Sequence, residues 1–329
     1  MRAAYYESNG PAREVLRVGE IETPQPAAGE VRVRLAVSGV NPSDVKSRVG
    51  LIGKMRYDRI VPHSDGAGVI DAVGDGVDAK RIGERVWIWN AQWLRPFGSA
   101  AQWVCLPQQQ AVSLPASVSF EAGACLGIPA MTACHAIQRL GALDGRSILI
   151  PGGAGAVGHY AIQFAKHAGA RVLTTVSSPE KAALARAVGA DVVIDYRQED
   201  VVERVRAATD GQGVHAVVEV DLAANVAMLP GVLRTNGKVI VYGSGQPVAQ
   251  LPAFFCLLNA IGIEFFLVYT LDAQARAQAV AGVNAALTRG LQHNLAARFA
   301  LTEIVAAHEL VESGRAGGNV VVTLEGATP

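Results

Sequence analysis

Three glycines, Gly153, Gly155 and Gly158, stand in the spacing G-x-G-x-x-G within the stretch S-I-L-I-P-G-G-A-G-A-V-G, residues 147–158. Glycines so spaced could hold a pyrophosphate. Missing side chains let the backbone approach the ligand, and the free N–H groups of a helix start face its negative charge. A chain with 35 glycines will produce such a spacing by accident, so its flanks decide the reading. Ile148, Leu149 and Ile150 before it read as a buried strand. After it, Ala161, Ile162 and Ala165 recur at helical spacing, and a second strand is expected over 171–176. The stretch therefore reads as the strand–turn–helix of a dinucleotide site, with Gly153, Ala154, Gly155, Ala156, Val157 and Gly158 against the diphosphate.

The end of the second strand bears on which dinucleotide. An NAD site would carry a carboxylate about 20 residues past the turn, to accept from the ribose 2′-hydroxyl. Here the strand runs out in T-T-V-S-S-P-E-K, placing Ser177 and Ser178 at its tip and Lys181 on the first turn of the next helix. Lys181 is placed to neutralise a 2′-phosphate. Glu180 lies past the proline, where a helix N-terminus favours a carboxylate without any ligand. The reading is NADP(H) over NAD(H).

Elements that would position these residues follow from the alternation. From Ser147 onward, strand candidates at 147–151, 171–176, 191–194, 214–220 and 237–242 alternate with helix candidates at 157–168, 179–188, 199–208 and 224–234, and one more strand is expected at 260–270. That grammar predicts an α/β fold with a doubly wound parallel sheet. Residues 1 to about 120 read instead as short strands and turns, with clean alternation over Glu30–Val37, which predicts a compact β-rich domain. A helix at 271–289, another at 301–313 and a last strand at 320–324 would return to that first domain. The expected division is 1–122 with 270–329 against 123–269.

The 329 residues carry 29 basic and 29 acidic side chains and no formal net charge. Nucleic acid or an anionic membrane surface would leave an electrostatic footprint that this balance lacks, so neither is an expected partner. The local basic run of Lys46, Arg48, Lys54, Arg56 and Arg59 is interleaved with Asp44 and Asp58 and reads as a solvated face. The most apolar stretch, 254–269, is broken by Asn259, Gly262 and Glu264 and is too short to span a bilayer. Cys105, Cys125, Cys134 and Cys256 have no pairing or metal-ligand spacing and read as small hydrophobes in a reducing, cytoplasmic compartment.

Several ordered motifs together resemble the medium-chain dehydrogenase/reductase superfamily, and within it the zinc-free quinone oxidoreductases related to zeta-crystallin. They are M-R-A at 1–3, G-V-N-P-S-D at 39–44, S-D-G-A-G-V at 64–69, G-E-R-V at 83–86, G-I-P-A-M-T-A at 127–133, the glycine turn, G-K-V-I-V-Y-G-S at 237–244 and S-G-R-A-G-G-N at 313–319. The resemblance implies a GroES-like first domain completed by the C-terminal tail, with a Rossmann nucleotide-binding domain between. It implies that Ser177, Lys181 and Tyr196 meet the adenosine 2′-phosphate region of NADPH, and that Gly243, Ser244 and Asn319 add cofactor contacts. It also implies a homodimer formed through the edge strand near 260–268.

Zinc-dependent relatives place a cysteine where Asn41 stands, a His-Glu pair where Ser64-Asp65 stands, and a second cysteine where Ile128 stands. Those ligands are absent, so no metal is expected, and neighbouring His63 reads as a loop or core residue. Without a Lewis acid, hydride transfer suits acceptors that spread the developing charge themselves, such as quinones and α,β-unsaturated carbonyls. Candidate lining residues are Asn41, Tyr57 and Thr132, each with a structural alternative: Asn41 stabilising the turn before Pro42, Tyr57 as a surface tyrosine, Thr132 in helix packing. Lys46 and Ile52 replace two tyrosines common in bacterial relatives, which implies a reshaped pocket, and Phe265 and Phe266 are further candidates for its lining. The expected activity is NADPH-dependent reduction of a quinone or other conjugated carbonyl. An alkenal or enoyl double-bond reductase and a non-catalytic NADPH-binding protein, crystallin-like or RNA-binding, are the alternatives.

Overall fold

The computed structural model describes residues 1–324. The chain forms two compact units that divide between Ile128 and Pro129 and again between Asn294 and Leu295. The divisions expected from the sequence are at 122/123 and 269/270. The later one lies further along because the helix Ala273–Thr288 packs inside the second unit. A Cβ on its Gly282 would come within 2.4 Å of Cys134 Sγ on the helix Met131–Leu140, and Gln138 Nε2 donates to Gln278 O at 3.1 Å.

The first unit opens with β1 (Arg2–Tyr5), β2 (Arg17–Glu20), β3 (Glu30–Val40), β4 (Asp65–Val73), β5 (Arg85–Ile88), β6 (Trp103–Pro107) and β7 (Ala111–Ser113). Along β3 the side chains alternate between buried and half-buried, as the sequence alternation requires, and Val31, Val33 and Leu35 enter the core. The second unit holds β8 (Ser147–Ile150), β9 (Arg171–Val176), β10 (Val192–Asp195), β11 (Val214–Glu219), β12 (Leu233–Val241) and β13 (Gly262–Phe265). The chain then returns to the first unit with β14 (Leu295–Ala300) and β15 (Asn319–Thr323). There the order β14-β15-β3-β4-β5-β7, with β6 also on β3, makes one sheet, and β1 pairs with β2.

The sheet of the second unit runs β10-β9-β8-β11-β12-β13, and every neighbouring pair in it is parallel. β8 is buried along its whole length, which is why it reads as an unbroken apolar run. Leu149, Leu173, Val217 and Val239 form its core with side chains of the covering helices. One expected helix is replaced. Instead of a helix over 224–234 the chain makes short turns at Leu222–Asn225, Val226–Met228 and Leu229–Val232, and β12 has begun by Leu233. Pro230 lacks the N–H that a continuing helix needs, and Gly231 is pressed against Val202. The strand expected over 260–270 ends at Phe265, before a tight turn at Val268–Thr270.

Candidate active site

The glycine turn is built as its spacing demands. β8 ends at Ile150, Gly152 takes φ +72°, and the helix Ala156–His167 starts behind Gly155. Gly152 N–H donates to Thr175 O at 3.1 Å, tying the turn to β9, and Gly155 N–H donates to Gly152 O at 2.8 Å. A Cβ on Gly153 would lie 2.1 Å from Thr174 Oγ1, and one on Gly158 would lie 2.3 Å from Gly152 O. Only glycine fits at either position. Ala156, Val157 and Gly158 make up the first turn of the helix, whose N–H groups have no intrahelical acceptor. No acidic side chain occupies that turn, so the helix dipole is left to an outside anion.

In a parallel sheet all strands end on one edge, and that edge gathers most of the predicted cofactor residues. Ser177 follows β9, Tyr196 follows β10 and is 52% exposed, and Gly243 and Ser244 lie just past the end of β12. Lys181 Nζ donates to Ser177 Oγ at 3.0 Å, so the two side chains share one spot beside the turn. Ser178 caps the helix Pro179–Ala187 by accepting from Lys181 N–H. Glu180 is fully exposed, and a hydrogen bond from Ser178 holds its carboxyl below the usual range. Gly243 packs on Val220, where a Cβ would meet the carbonyl at 2.2 Å. Ser244 Oγ donates to Gln246 O at 2.7 Å.

One contributor had no signal in the sequence. Asn294 is buried and its Nδ2 donates to Ala154 O at 3.0 Å, bracing the turn. Beside it Gln292 N–H donates to Gln163 Oε1 at 2.8 Å, and Tyr160 Oη lies 2.8 Å from His293 Nδ1. Residues 292–294 therefore strap the turn and its helix from 130 or so positions away in the chain.

Thr132 belongs to this same unit, is 4% exposed and lies one residue into the helix Met131–Leu140. Phe265 is 62% exposed, and Phe266 packs edge-on against His135 at 4.7 Å. Asn41, Tyr57 and Asn319 lie in the other unit. Asn319 is buried at the first position of β15. Tyr57 is 36% exposed and its hydroxyl donates to Leu94 O at 2.5 Å.

Asn41 is buried at the start of the helix Pro42–Arg48 and forms a capping box with Asp44, its N–H donating to Asp44 Oδ2 at 2.7 Å. Its amide Nδ2 donates to Asp65 Oδ2 at 2.8 Å. Burial raises the Asp65 carboxyl well above the carboxylate range against the opposing pull of that bond, and burial raises Asp44 to about 7. His63, at φ +78°, is fully buried, with Nδ1 at 2.8 Å from Ser38 Oγ and Nε2 at 2.9 Å from His308 Nε2. Desolvation depresses its pKa to about 3, so both rings are held neutral in this network. Among the described residues no cluster of three or more His, Cys, Asp or Glu side chains could hold a metal ion.

The basic run at 46–59 departs from the expected solvated face at one position. Arg48 is fully buried, pairs with Glu312 at 2.7 Å and donates to Gly10 O and to His308 Nδ1. Arg59 stays at the surface, paired with Glu7 at 2.6 Å and lying over the Tyr5 ring.

The alcohol dehydrogenase GroES-like domain matches residues 27–116, and the zinc-binding dehydrogenase domain matches residues 156–284. A quinone oxidoreductase of Pseudomonas aeruginosa is 31% identical over 94% of this chain and 95% of its own length. A 2-haloacrylate reductase of a Burkholderia species is 29% identical over 98% of each chain. A mycobacterial protein solved in complex with NADPH superposes with a TM-score of 0.87 at 27% identity, covering 98% of this chain and 99% of that one.

Proposed function

Because the chain belongs to the quinone oxidoreductase family of the medium-chain dehydrogenase/reductases, we propose that it is an NADPH-dependent oxidoreductase that passes hydride to a quinone or another conjugated carbonyl compound. The observation that carries this reading is the glycine turn with its open helix start beside the Lys181–Ser177 pair.

The residues fit the cofactor by their chemistry. The cradle at Gly153 and Gly158 excludes side chains where a diphosphate would approach, and the N–H groups of Ala156, Val157 and Gly158 would receive its charge. Lys181 and Ser177 would hold the 2′-phosphate, with Tyr196 beside the adenosine. Gly243, Ser244 and Asn319 complete the proposed contacts. Bound NADPH would supply the hydride from its nicotinamide ring. Thr132, Asn41 and Tyr57 are the proposed polar groups at the acceptor. Tyr57 would turn its hydroxyl from Leu94 O to an oxyanion, and the proton that completes the reduced product would come from solvent or a nearby hydroxyl.

Zinc does not fit the positions at which dehydrogenases of this superfamily hold it. Ile128 has no donor atom, and the Asn41 amide is spent on Asp65. We therefore propose metal-independent chemistry, restricted to acceptors that delocalise the incoming charge. Free thiols at all four cysteines support a reducing, cytoplasmic setting. No described helix is long and apolar enough to cross a membrane.

We further propose that two copies pair through β13. That strand ends the sheet, and Phe254, Leu257 and Leu258 on the helix Ala253–Leu258 are each more than 75% exposed, with Phe265 at 62%. An open edge flanked by exposed apolar side chains is a pairing surface in want of a partner.

The test is NADPH oxidation against a panel of quinones, 2-alkenals and simple ketones, with and without a chelator. Chelator-insensitive turnover of quinones or alkenals, with ketones inert, is expected. Chelator-sensitive ketone reduction would refute the reading.

A further inference from the structure

The second unit carries a cavity of about 280 Å³ at the edge where the strands begin, opposite the glycine turn. Arg146 just before β8, His215 on β11, and Arg234 and Lys238 on β12 line it, together with the polar side chains of Thr235 and Asn236. Three cations thus converge on one concave surface. Among the described residues none of the three has a carboxylate within ion-pair distance. Like charges gathered without counter-charge repel one another, and a fold tolerates the arrangement most readily when an anion joins it.

His215 reports the same field. Its Nε2 accepts from Arg234 Nη1 at 2.8 Å, and its Nδ1 lies 3.2 Å from Ser147 Oγ. Desolvation first, then the charges of Arg234 and Arg146, hold its pKa below the ordinary histidine value. The apolar wall adds little, because Leu140 and Leu143 are already buried at 4% and 3% exposure. Recognition here would rest on charge and hydrogen bonding, and the cavity lies at the small end of ligand sites.

We propose that this cavity is a second ligand site, separate from the cofactor turn, that binds a compact multivalent oxyanion of the phosphate class. Arg234, held by His215 through Nη1, would offer its remaining N–H groups, while Arg146 would bring a second guanidinium and Lys238 a point charge from the exposed rim. β8 connects this edge to Pro151 and the glycine turn over only four residues, about 13 Å of strand. The proposal does not rest on the NADPH reading, since none of its residues belongs to that site.

The experiment is isothermal titration calorimetry of the full chain with inorganic phosphate, inorganic pyrophosphate and glucose 6-phosphate at low ionic strength. Arg146→Gln and Lys238→Gln, both surface changes, are compared with Lys181→Ala. With the glycine turn saturated by NADP+, so that a diphosphate cannot bind there, saturable pyrophosphate binding near one equivalent per chain is expected. It should be about tenfold weaker in Arg146→Gln and in Lys238→Gln, and unchanged in Lys181→Ala. Glucose 6-phosphate binding as well as inorganic phosphate would identify the phosphate group of a larger metabolite as occupant; failure of glucose 6-phosphate alone would identify a free inorganic anion. No saturable binding, binding indifferent to Arg146 and Lys238, or binding lost in Lys181→Ala would overturn the proposal.

Discussion

Replacing Lys181 by alanine should erase the preference for NADPH over NADH while leaving NADH use almost untouched. A unit charge about 4 Å from a phosphate is worth about 4 kcal/mol at an effective dielectric constant of 20, which sets a ceiling. Lys181 is half-buried and its Nζ already bonds Ser177 Oγ at 3.0 Å, so solvent and the pre-existing bond reduce the gain. A charge-assisted hydrogen bond of about 1.5–3 kcal/mol remains, which is a loss of about 10- to 150-fold in NADPH affinity. Ser177→Ala should lose less, and the double variant less than the sum of the two, because the Nζ–Oγ contact couples the sites. Fluorescence titration with both nucleotides, alongside KM for each at saturating acceptor, reads these losses directly. An unchanged NADPH-to-NADH ratio in Lys181→Ala would refute the assignment of this residue to the phosphate. Equal losses for both nucleotides would show that the change damaged the turn.

Asn294→Ala removes the donor to Ala154 O and should cost about 1–2 kcal/mol of stability. KM for NADPH should rise with kcat little altered, measured by thermal melts and initial rates. Asp44 makes stability depend on pH in a defined direction. Burial raises its pKa in the folded chain from 3.8 to about 7, so the folded state binds the proton more tightly than the unfolded one. Its contribution is full below pH 4 and is lost as pH rises to 7. Wild-type stability minus that of Asp44→Asn, from denaturant melts, should therefore fall by a few kcal/mol across that window; a flat difference would contradict the buried, protonated carboxyl. Leu257→Lys should yield monomers by sedimentation at concentrations where the unaltered chain pairs, and a monomeric unaltered chain would remove the dimer proposal.

Much of the second unit was legible because its central strands, β8, β9 and β11, are buried almost throughout. Leu149 and Leu173 sit in apolar runs bounded by glycine or charge, so the strands and the turn after the first of them could be read locally. The expected helix at 224–234 failed at Pro230-Gly231, two residues whose local preference was visible and outweighs the helical spacing around them. The division after Asn294 was less legible for a different reason. The helix Ala273–Thr288 is so rich in alanine that no face declares itself, and its true partner is found only through the tight fit of Gly282 on Cys134. Long-range pairings left no trace at all. Arg48 meets Glu312 from 264 positions away, and Asn294 reaches Ala154 from 140. At the candidate site, the spacing of Gly153, Gly155 and Gly158 announced a close backbone approach. Asn41 as a stabiliser of the turn before Pro42 was open to reading, and the Asp44 capping box is that role; nothing in the sequence showed its amide donating to Asp65, or the Tyr57 hydroxyl to Leu94.

Whether a phosphorylated pyridine nucleotide is held at the glycine turn is decided by a crystal structure of the chain grown with NADPH. The diphosphate is expected against the first-turn N–H groups of Ala156–Gly158, and the 2′-phosphate within hydrogen-bond reach of Lys181 Nζ. A nucleotide bound elsewhere, or a 2′-phosphate turned away from Lys181 into solvent, would contradict that placement.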